Sequence, residues 1–232
     1  MAGVGVLGFL IGGAALALVQ GGTGDPDRAR IEQIVREYIL ANPEIIPEAI
    51  DKLQQRQMAE VIEQNRAALE KPWHGAWKGA ADADVVLVEF FDYACSFCRS
   101  SLADIDRLIA EDKKLKVVLR ELPVLGDESV AAALTSLAVA RAGQQPFHTF
   151  HEAVYAAGPP SSDTVAAAKR KAGVQSVQES ADLQDEIDKN YRLASSLRAN
   201  GTPLFVVGNQ VFQGAVGYDT LKQAIAEARK EK

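Results

Sequence analysis

Residues 85–102 read VVLVEFFDYACSFCRSSL, and this stretch decides the fold. Its first seven residues form an almost continuous apolar run, rich in β-branched and aromatic residues, which predicts a strand buried on both faces of a central sheet. The two cysteines of the chain, Cys95 and Cys98, follow after a short turn. They therefore lie at the start of a predicted helix of about residues 95–110, directly behind a buried strand.

The positions of the two cysteines predict different roles. Free N–H groups and partial positive charge at a helix N-terminus stabilise a thiolate, so Cys95 is expected to be the sulfur that attacks or is attacked. Cys98 lies one turn further on the same face, in reach of Cys95 but more buried, and is expected to resolve the mixed disulfide. A bridge between them closes too small a loop to stabilise the fold much, which leaves redox chemistry or metal binding.

Glu89 is a carboxylate inside this apolar strand, six residues before Cys95, where its burial is costly. One interpretation is a strand end that faces solvent. The other is a buried proton acceptor just behind the dithiol, with a pKa raised by desolvation.

The rest of the main domain, predicted over residues 73–232, alternates strands and helices. A second strand is predicted over residues 115–119, and a helical block follows over about 128–198. The sequence GTPLFVVGNQVFQGA then predicts a hairpin, and residues 219–230 a final helix.

Thr202–Pro203 opens the predicted hairpin, where a proline is tolerated as the first residue of a strand. A trans bond is the default for an arbitrary X-Pro pair. A cis bond would turn the backbone of residue 202 outward, so that an extended substrate pairs with it beside Cys95.

The N-terminal 22 residues form an uncharged apolar run close to the ~20 residues that a helix needs to cross a bilayer. They predict a membrane anchor or a signal peptide, with Ala15-Leu16-Ala17 as a source of small residues for cleavage, and therefore export. The first basic residues, Arg28 and Arg30, follow the run, and by the positive-inside rule this feature favours a cytoplasmic body instead.

A helical extension is predicted over residues 23–72, after a Gly-rich linker. Asn42–Pro43 divides it into two helices. The second carries a sparse apolar stripe, which consists of Ile50, Leu53, Met58, Val61, Ile62 and Leu69. Such a stripe either docks on the protein's own core or mediates self-association. We favour self-association, and thus a homo-oligomer formed through residues 28–70.

Composition narrows the functional classes. Hydrophobic residues make up 47% of the 232 residues and charged residues 24%, which is typical of a globular chain with a sizeable core. The net charge of -6 gives no general basic character. Nucleic acid is therefore not expected as a partner, because such binding depends on Lys and Arg at phosphates.

The order of these parts resembles the thioredoxin fold in its DsbA-like form, over about residues 73–230. FFDYACSFC resembles the active-site sequence of ScsC-like and related bacterial members, and REYILANPEIIPEAIDKLQQRQ resembles the N-terminal extension of ScsC-like proteins. The resemblance implies an α/β thioredoxin fold with a helical insertion, preceded by a helical extension. In that group the extension can mediate oligomerisation, and oligomers tend towards isomerase activity while monomers oxidise.

The same resemblance implies an active site formed by Cys95, Cys98, Thr202 and Pro203, with Glu89 as the family's buried acid. The expected function is thiol–disulfide exchange on cysteines of other proteins, as an isomerase or oxidase, in the periplasm. The protein would be tethered to the inner membrane by residues 1–22 or released after cleavage. No bound cofactor or metal is expected, because the dithiol itself cycles, and a separate redox partner must reset it.

Three other functions fit parts of the sequence. Cys95 and Cys98 with His148 and His151 supply four possible zinc ligands, although about fifty residues separate the pairs. Thiolates also suit Cu(I), so a copper carrier is the second metal-binding alternative. A membrane-tethered scaffold or holdase without enzymatic activity leaves the cysteines and Thr202–Pro203 unexplained.

Overall fold

The structure is a computed structural model that describes residues 26–177 and 180–230. The anchor or signal peptide predicted over residues 1–22 lies outside the described residues. Two compact units divide the chain between Leu53 and Gln54. The domain boundaries of the sequence analysis stay predictions.

The first unit contains helix α1 (Pro26–Ala41) and the start of helix α2 (Ile45–Glu70). The helix break predicted at Asn42–Pro43 falls between them. Their large apolar side chains are exposed, namely those of Ile31, Ile34, Val35, Tyr38, Leu40, Ile46, Ile50 and Leu53.

The second unit contains a five-stranded sheet in the order β1-β3-β2-β4-β5. Its strands are β1 (Trp77–Gly79), β2 (Val85–Phe91), β3 (Leu115–Glu121), β4 (Leu204–Val207) and β5 (Gln210–Gln213). Strands β2 and β3 are parallel, and the other pairs are antiparallel. Besides the end of α2, the described part of this unit contains the helices α3 (Ser96–Glu111), α4 (Asp127–Ala140), α5 (Gln144–Ala157), α6 (Ser162–Lys171), α7 (Ala181–Ser196) and α8 (Tyr218–Lys230).

The sheet is buried on both faces, as the apolar run of β2 predicts. Leu87 and Phe91 face one core, which α3, α5 and α8 complete. Val88 and Phe90 face the other core, where they meet Ile62 of α2 and Leu193 of α7. The carboxyl-terminal half of α2 is therefore part of the domain core, while the exposed apolar residues precede it.

Strand β1 is an element for which the sequence analysis predicted no strand. Three residues are too few to show a period, and β1 forms only because it pairs antiparallel with β3, with Trp77 opposite Val118. The other strands and the helical insertion α4–α7 lie where they were predicted. The α/β thioredoxin fold with a helical insertion and a helical extension is thus confirmed.

Candidate active site

Cys95 lies at the N-cap of α3, where β2 delivers the chain after a short turn. Its backbone is extended, with φ of -77° and ψ of 116°, and its Sγ accepts a hydrogen bond from the backbone N–H of Cys98 at 3.4 Å. Cys95 is 6% exposed and Cys98 is 1% exposed, so the first sulfur is the more accessible of the two. The arrangement fits a CxxC pair of two buried cysteines, of which Cys95 lines the neighbouring groove and Cys98 does not.

Burial raises the pKa of both acids that lie behind Cys95, namely Cys98 and Glu89. It raises the pKa of the Cys98 thiol, and the charge of Glu89 adds to this effect. Burial likewise raises the pKa of Glu89 to about 8, while the charge of Lys78 acts in the opposite direction. Glu89 therefore changes its protonation state close to neutral pH, where a proton acceptor for a thiol is most useful.

The register of the sheet explains why Glu89 is buried. It lies in the middle of β2, paired with Leu119 of β3 and with Phe205 of β4, and it is 2% exposed. The interpretation of Glu89 as a strand end that faces solvent is therefore wrong.

Thr202 and Pro203 lie opposite the dithiol, at the entry to β4. The Thr202–Pro203 peptide bond is cis. The Cys95 thiol donates a hydrogen bond to the carbonyl oxygen of Thr202 at 3.2 Å. The structure thus brings Thr202 to the more accessible sulfur and Glu89 into electrostatic contact with both cysteines.

A groove of about 740 Å³ opens beside Cys95. One wall is the loop that follows β3, with the exposed side chains of Val124 and Leu125, and another is formed by Tyr191 of α7. Phe97, between the two cysteines, is 65% exposed at its rim. The residues around the accessible sulfur are therefore mostly apolar, which suits an apolar polypeptide segment.

Asp92 is a buried residue of this site that the sequence analysis did not single out. Its carboxylate accepts four hydrogen bonds, from the backbone N–H groups of Ala94, Val124 and Leu125 and from the Ser129 hydroxyl, at 2.7 to 2.9 Å. The sequence signal was an acid next to a buried strand, but three of its four partners lie more than thirty residues away.

A second buried polar cluster was also missed. The Tyr93 hydroxyl makes hydrogen bonds to Ser136 at 2.9 Å and to Nδ1 of His151 at 3.1 Å. Glu121 lies close by, and burial raises its pKa well above the usual range. Desolvation is the main cause, since Glu121 is 1% exposed.

The histidines considered as zinc ligands have other partners. His151 is buried, and burial lowers its pKa well below the usual value. Nε2 of His148 lies 2.7 Å from the carbonyl oxygen of Trp77. Within residues 26–177 and 180–230, no cluster of three or more His, Cys, Asp or Glu side chains is arranged to hold a metal ion.

The site combines a dithiol at the start of a helix with a neighbouring cis-proline loop, and both adjoin a mixed sheet. This combination defines the class of thioredoxin-fold redox proteins. The comparisons identify the branch. Residues 86–226 match the DSBA-like thioredoxin domain, and residues 27–60 match the copper resistance protein ScsC N-terminal domain. The chain belongs to the DsbA-like thiol–disulfide oxidoreductase family.

Individual relatives agree with this assignment. Disulfide bond formation protein D of Bacillus subtilis is 26% identical over 170 residues, which cover 66% of this chain and 77% of that protein. A periplasmic thioredoxin-like protein of Salmonella enterica serovar Typhimurium is 28% identical, with a TM-score of 0.67 over 71% of this chain and 95% of that one. Proteus mirabilis ScsC in a transitional conformation has the same fold, at 24% identity and a TM-score of 0.70 over 89% and 98% of the two chains.

Among the helices of the described residues, none is long and apolar enough to cross a membrane.

Proposed function

We propose that this protein exchanges disulfides with cysteines of other proteins through Cys95, as an oxidase or isomerase. The observation that carries the proposal is the asymmetry of the dithiol. Cys95 is the accessible sulfur at a helix start, while Cys98 lies behind it with Glu89, whose pKa is about 8. No other reactive pair of side chains is needed for the reaction.

In the oxidising direction, a substrate thiolate attacks Sγ of Cys95 in the Cys95–Cys98 disulfide. The bond between the two cysteines breaks, a mixed disulfide forms at Cys95, and Cys98 leaves as a thiolate that takes a proton from Glu89. A second substrate thiolate then attacks the substrate sulfur of the mixed disulfide and releases Cys95 as a thiolate. The substrate loses two electrons, the protein gains them, and a redox partner must remove them again.

Isomerisation starts from the reduced form of the protein. The Cys95 thiolate attacks a substrate disulfide, and the freed substrate thiolate attacks another disulfide of the same substrate. If the mixed disulfide persists, Cys98 gives its proton to ionised Glu89 and attacks Sγ of Cys95, which releases the substrate. The raised pKa of Cys98 keeps this escape slower than exchange within the substrate.

The substrate chain is proposed to lie along Thr202 and Pro203, with an apolar segment in the groove of Val124, Leu125 and Tyr191. Such a groove supports a preference for unfolded or partly folded proteins, since these expose apolar residues next to their cysteines. We propose that this activity takes place in the periplasm, where disulfides persist and where the Salmonella relative is found.

Self-association through residues 28–70 is the second part of the proposal. Its support is the row of exposed apolar side chains on α1 and on the first turns of α2, and the match to an ScsC N-terminal domain over residues 27–60. An oligomer would present several dithiols to one substrate, which favours isomerisation.

Thiol trapping tests the proposed exchange. A Cys98→Ser variant lacks the resolving thiol, so we expect its Cys95 thiolate to attack a disulfide of a scrambled test protein, release one substrate thiolate and accumulate as a mixed disulfide. A Cys95→Ser variant should trap none, because Cys98 is buried. Trapping by Cys95→Ser, or by neither variant, would contradict the assigned roles.

A redox equilibrium with glutathione tests the direction of exchange. The wild-type protein is equilibrated at set ratios of reduced to oxidised glutathione, and its free thiols are alkylated and counted. We expect a potential between about -120 and -180 mV, the range of known oxidases and isomerases. A value near about -270 mV, as in thioredoxin, would indicate a reductase.

A further inference from the structure

Asp92 connects two parts of the site that are far apart in sequence. It is 1% exposed, and its carboxylate is an acceptor for four donors. Two of the donors, the Ala94 N–H and the Ser129 hydroxyl, bind Oδ1 at 2.7 Å. The other two are the N–H groups of Val124 and Leu125, which bind Oδ2 at 2.8 and 2.9 Å.

These last two bonds fasten one wall of the groove. Val124 and Leu125 have exposed side chains in the groove beside Cys95. Their backbone N–H groups donate to the buried carboxylate of Asp92. On its other side, the same loop is held by the Tyr191 hydroxyl, which donates to the carbonyl oxygen of Pro123.

The backbone of Asp92 also contacts the dithiol. Its carbonyl oxygen accepts hydrogen bonds from the N–H of Cys95 and from the Tyr155 hydroxyl, both at 3.1 Å. Its own backbone forms a hydrogen bond with Cys98 that favours the thiolate. One residue therefore touches both cysteines through its main chain and the groove wall through its side chain.

We propose that Asp92 is a positioning residue that holds the groove wall at a fixed distance from Cys95, and so sets the selectivity for apolar substrate segments. The inference rests on the proposed exchange reaction. It adds the residue that links the binding of the substrate segment in the groove to the position of the Cys95 sulfur. When an apolar side chain seats between Leu125 and Tyr191, the rigid link presents the neighbouring substrate sulfur to Cys95.

A side chain with two acceptor oxygens fits this position. All four partners are donors, and a carboxylate offers two oxygens that accept only. In Asp92→Asn the NH₂ group cannot accept a bond from a backbone N–H, so at least one N–H among Ala94, Val124 and Leu125 loses its partner, whichever way the amide turns. Because buried donors without partners are costly, either the turn before Cys95 or the loop of Val124 and Leu125 would shift, and the distance between them would change.

The test compares three thiols as substrates of the oxidised full-length protein. Two are synthetic peptides of equal length and charge with one cysteine each, flanked by Leu and Phe in the first and by Ser and Asn in the second. The third is reduced glutathione. Rates of reduction of the protein disulfide are followed by alkylation and mass measurement.

For the wild type we expect a second-order rate constant about tenfold higher with the apolar peptide than with the polar one, the ratio that about 1.4 kcal/mol of side-chain burial supplies. In Asp92→Asn this preference should fall below threefold, with a larger loss for the apolar peptide than for glutathione. Asp163→Asn, the same change on an exposed helix, should keep the wild-type preference.

The possible outcomes separate the inference from the proposed function. If the wild type reacts with none of the three thiols, the proposed exchange fails and the inference with it. If the wild type prefers the apolar peptide and Asp92→Asn keeps that preference, the inference alone fails. It also fails if the three rates fall by one common factor, because Asp92 would then act on the thiols only.

A second variant and a measurement on the wild type cover the case in which Asp92→Asn does not fold. Ser129→Ala removes a single donor to Asp92, far from both cysteines in sequence, and should reduce the preference part of the way. Amide hydrogen exchange of the wild type should show slow exchange at Val124 and Leu125. Exchange there as fast as in an exposed loop would overturn the proposal.

Discussion

Glu89 shows how the position of one side chain sets its chemistry. A carboxylate flanked on the sheet by Leu119 and Phe205 has no water to stabilise its charge, so its pKa rises to about 8. The folded protein thus binds a proton that the unfolded chain releases above its ordinary pKa of 4.5. Stability from this proton is complete at low pH and is lost as the pH rises towards 8.

Glu89→Gln tests this pKa. We expect the free energy of unfolding of the reduced wild type to fall, relative to that of the variant, by about 1.4 kcal/mol per pH unit between pH 5 and 7. Other buried acids, such as Glu121, are present in both proteins and cancel. Urea unfolding at pH 5, 6 and 7 gives the difference, with Glu60→Gln on the exposed face of α2 as the control. Parallel curves for wild type and Glu89→Gln would show an ordinary carboxylate.

Some residues of the site were predictable and others were not, for a simple physical reason. Cys95, Cys98 and Glu89 lie on one strand–turn–helix segment, so their mutual placement follows from local geometry. Asp92 was not singled out, because its importance depends on N–H groups that only the folded loop after β3 supplies. Local sequence periods carry no information about such distant pairs.

At the scale of elements, Arg120 connects strand β3 with helices α2 and α7 through hydrogen bonds. Its side chain in β3 donates to the carbonyl oxygens of Ala68, Leu69 and Lys71 at the end of α2. It also donates to Glu186 at 3.1 Å and to Asn190 at 2.8 Å in α7. All five N–H groups of the guanidinium thereby donate hydrogen bonds. Arg120 itself is 2% exposed.

Replacing Arg120 by methionine should therefore be strongly destabilising. The change leaves the buried carboxylate of Glu186 and three carbonyl groups without this donor, and we expect a loss of about 3–5 kcal/mol. Guanidinium unfolding measures it. Arg28→Met, at an exposed i,i+4 pair of α1, is the matched control and should change stability by no more than about 0.5 kcal/mol. A loss for Arg120→Met as small as that of the control would refute the role of the network.

The elements themselves follow from the sequence to different degrees. Strand β2 and the helical insertion carry long, regular apolar patterns, and their positions were predicted. Strand β1 was not, because Trp77–Gly79 becomes a strand only through its pairing with β3. For α2, the sequence showed one apolar stripe but did not show that its two halves differ. Ile62 and Leu69 are buried in the core, whereas Ile50 and Leu53 are exposed.

At the scale of the whole molecule, the exposed apolar residues of α1 and early α2 predict an oligomer. A row of eight large apolar side chains is unfavourable in water. We expect light scattering to give a mass that is a multiple of the 24.9 kDa of one chain. Ile34→Glu should shift this mass towards that of one chain, because it places a charge in the apolar row.

The control for this prediction is Glu37→Gln, which changes the charge of the same helix without adding a charge to the apolar row. It should keep the wild-type mass. A wild-type mass of one chain, or an oligomer that survives Ile34→Glu together with Ile31→Glu, would show that another surface, or none, mediates association.

The hydrogen bonds of Arg120 join segments that are far apart in sequence, and this has a consequence for folding during biosynthesis. The ribosome completes α2 long before β3, and β3 well before Glu186 and Asn190 of α7 emerge. The end of α2 therefore has no complete docking partner until nearly the whole domain has been made. During translation the end of α2 stays undocked, and its packing against the sheet is among the last steps by which the newly made domain folds.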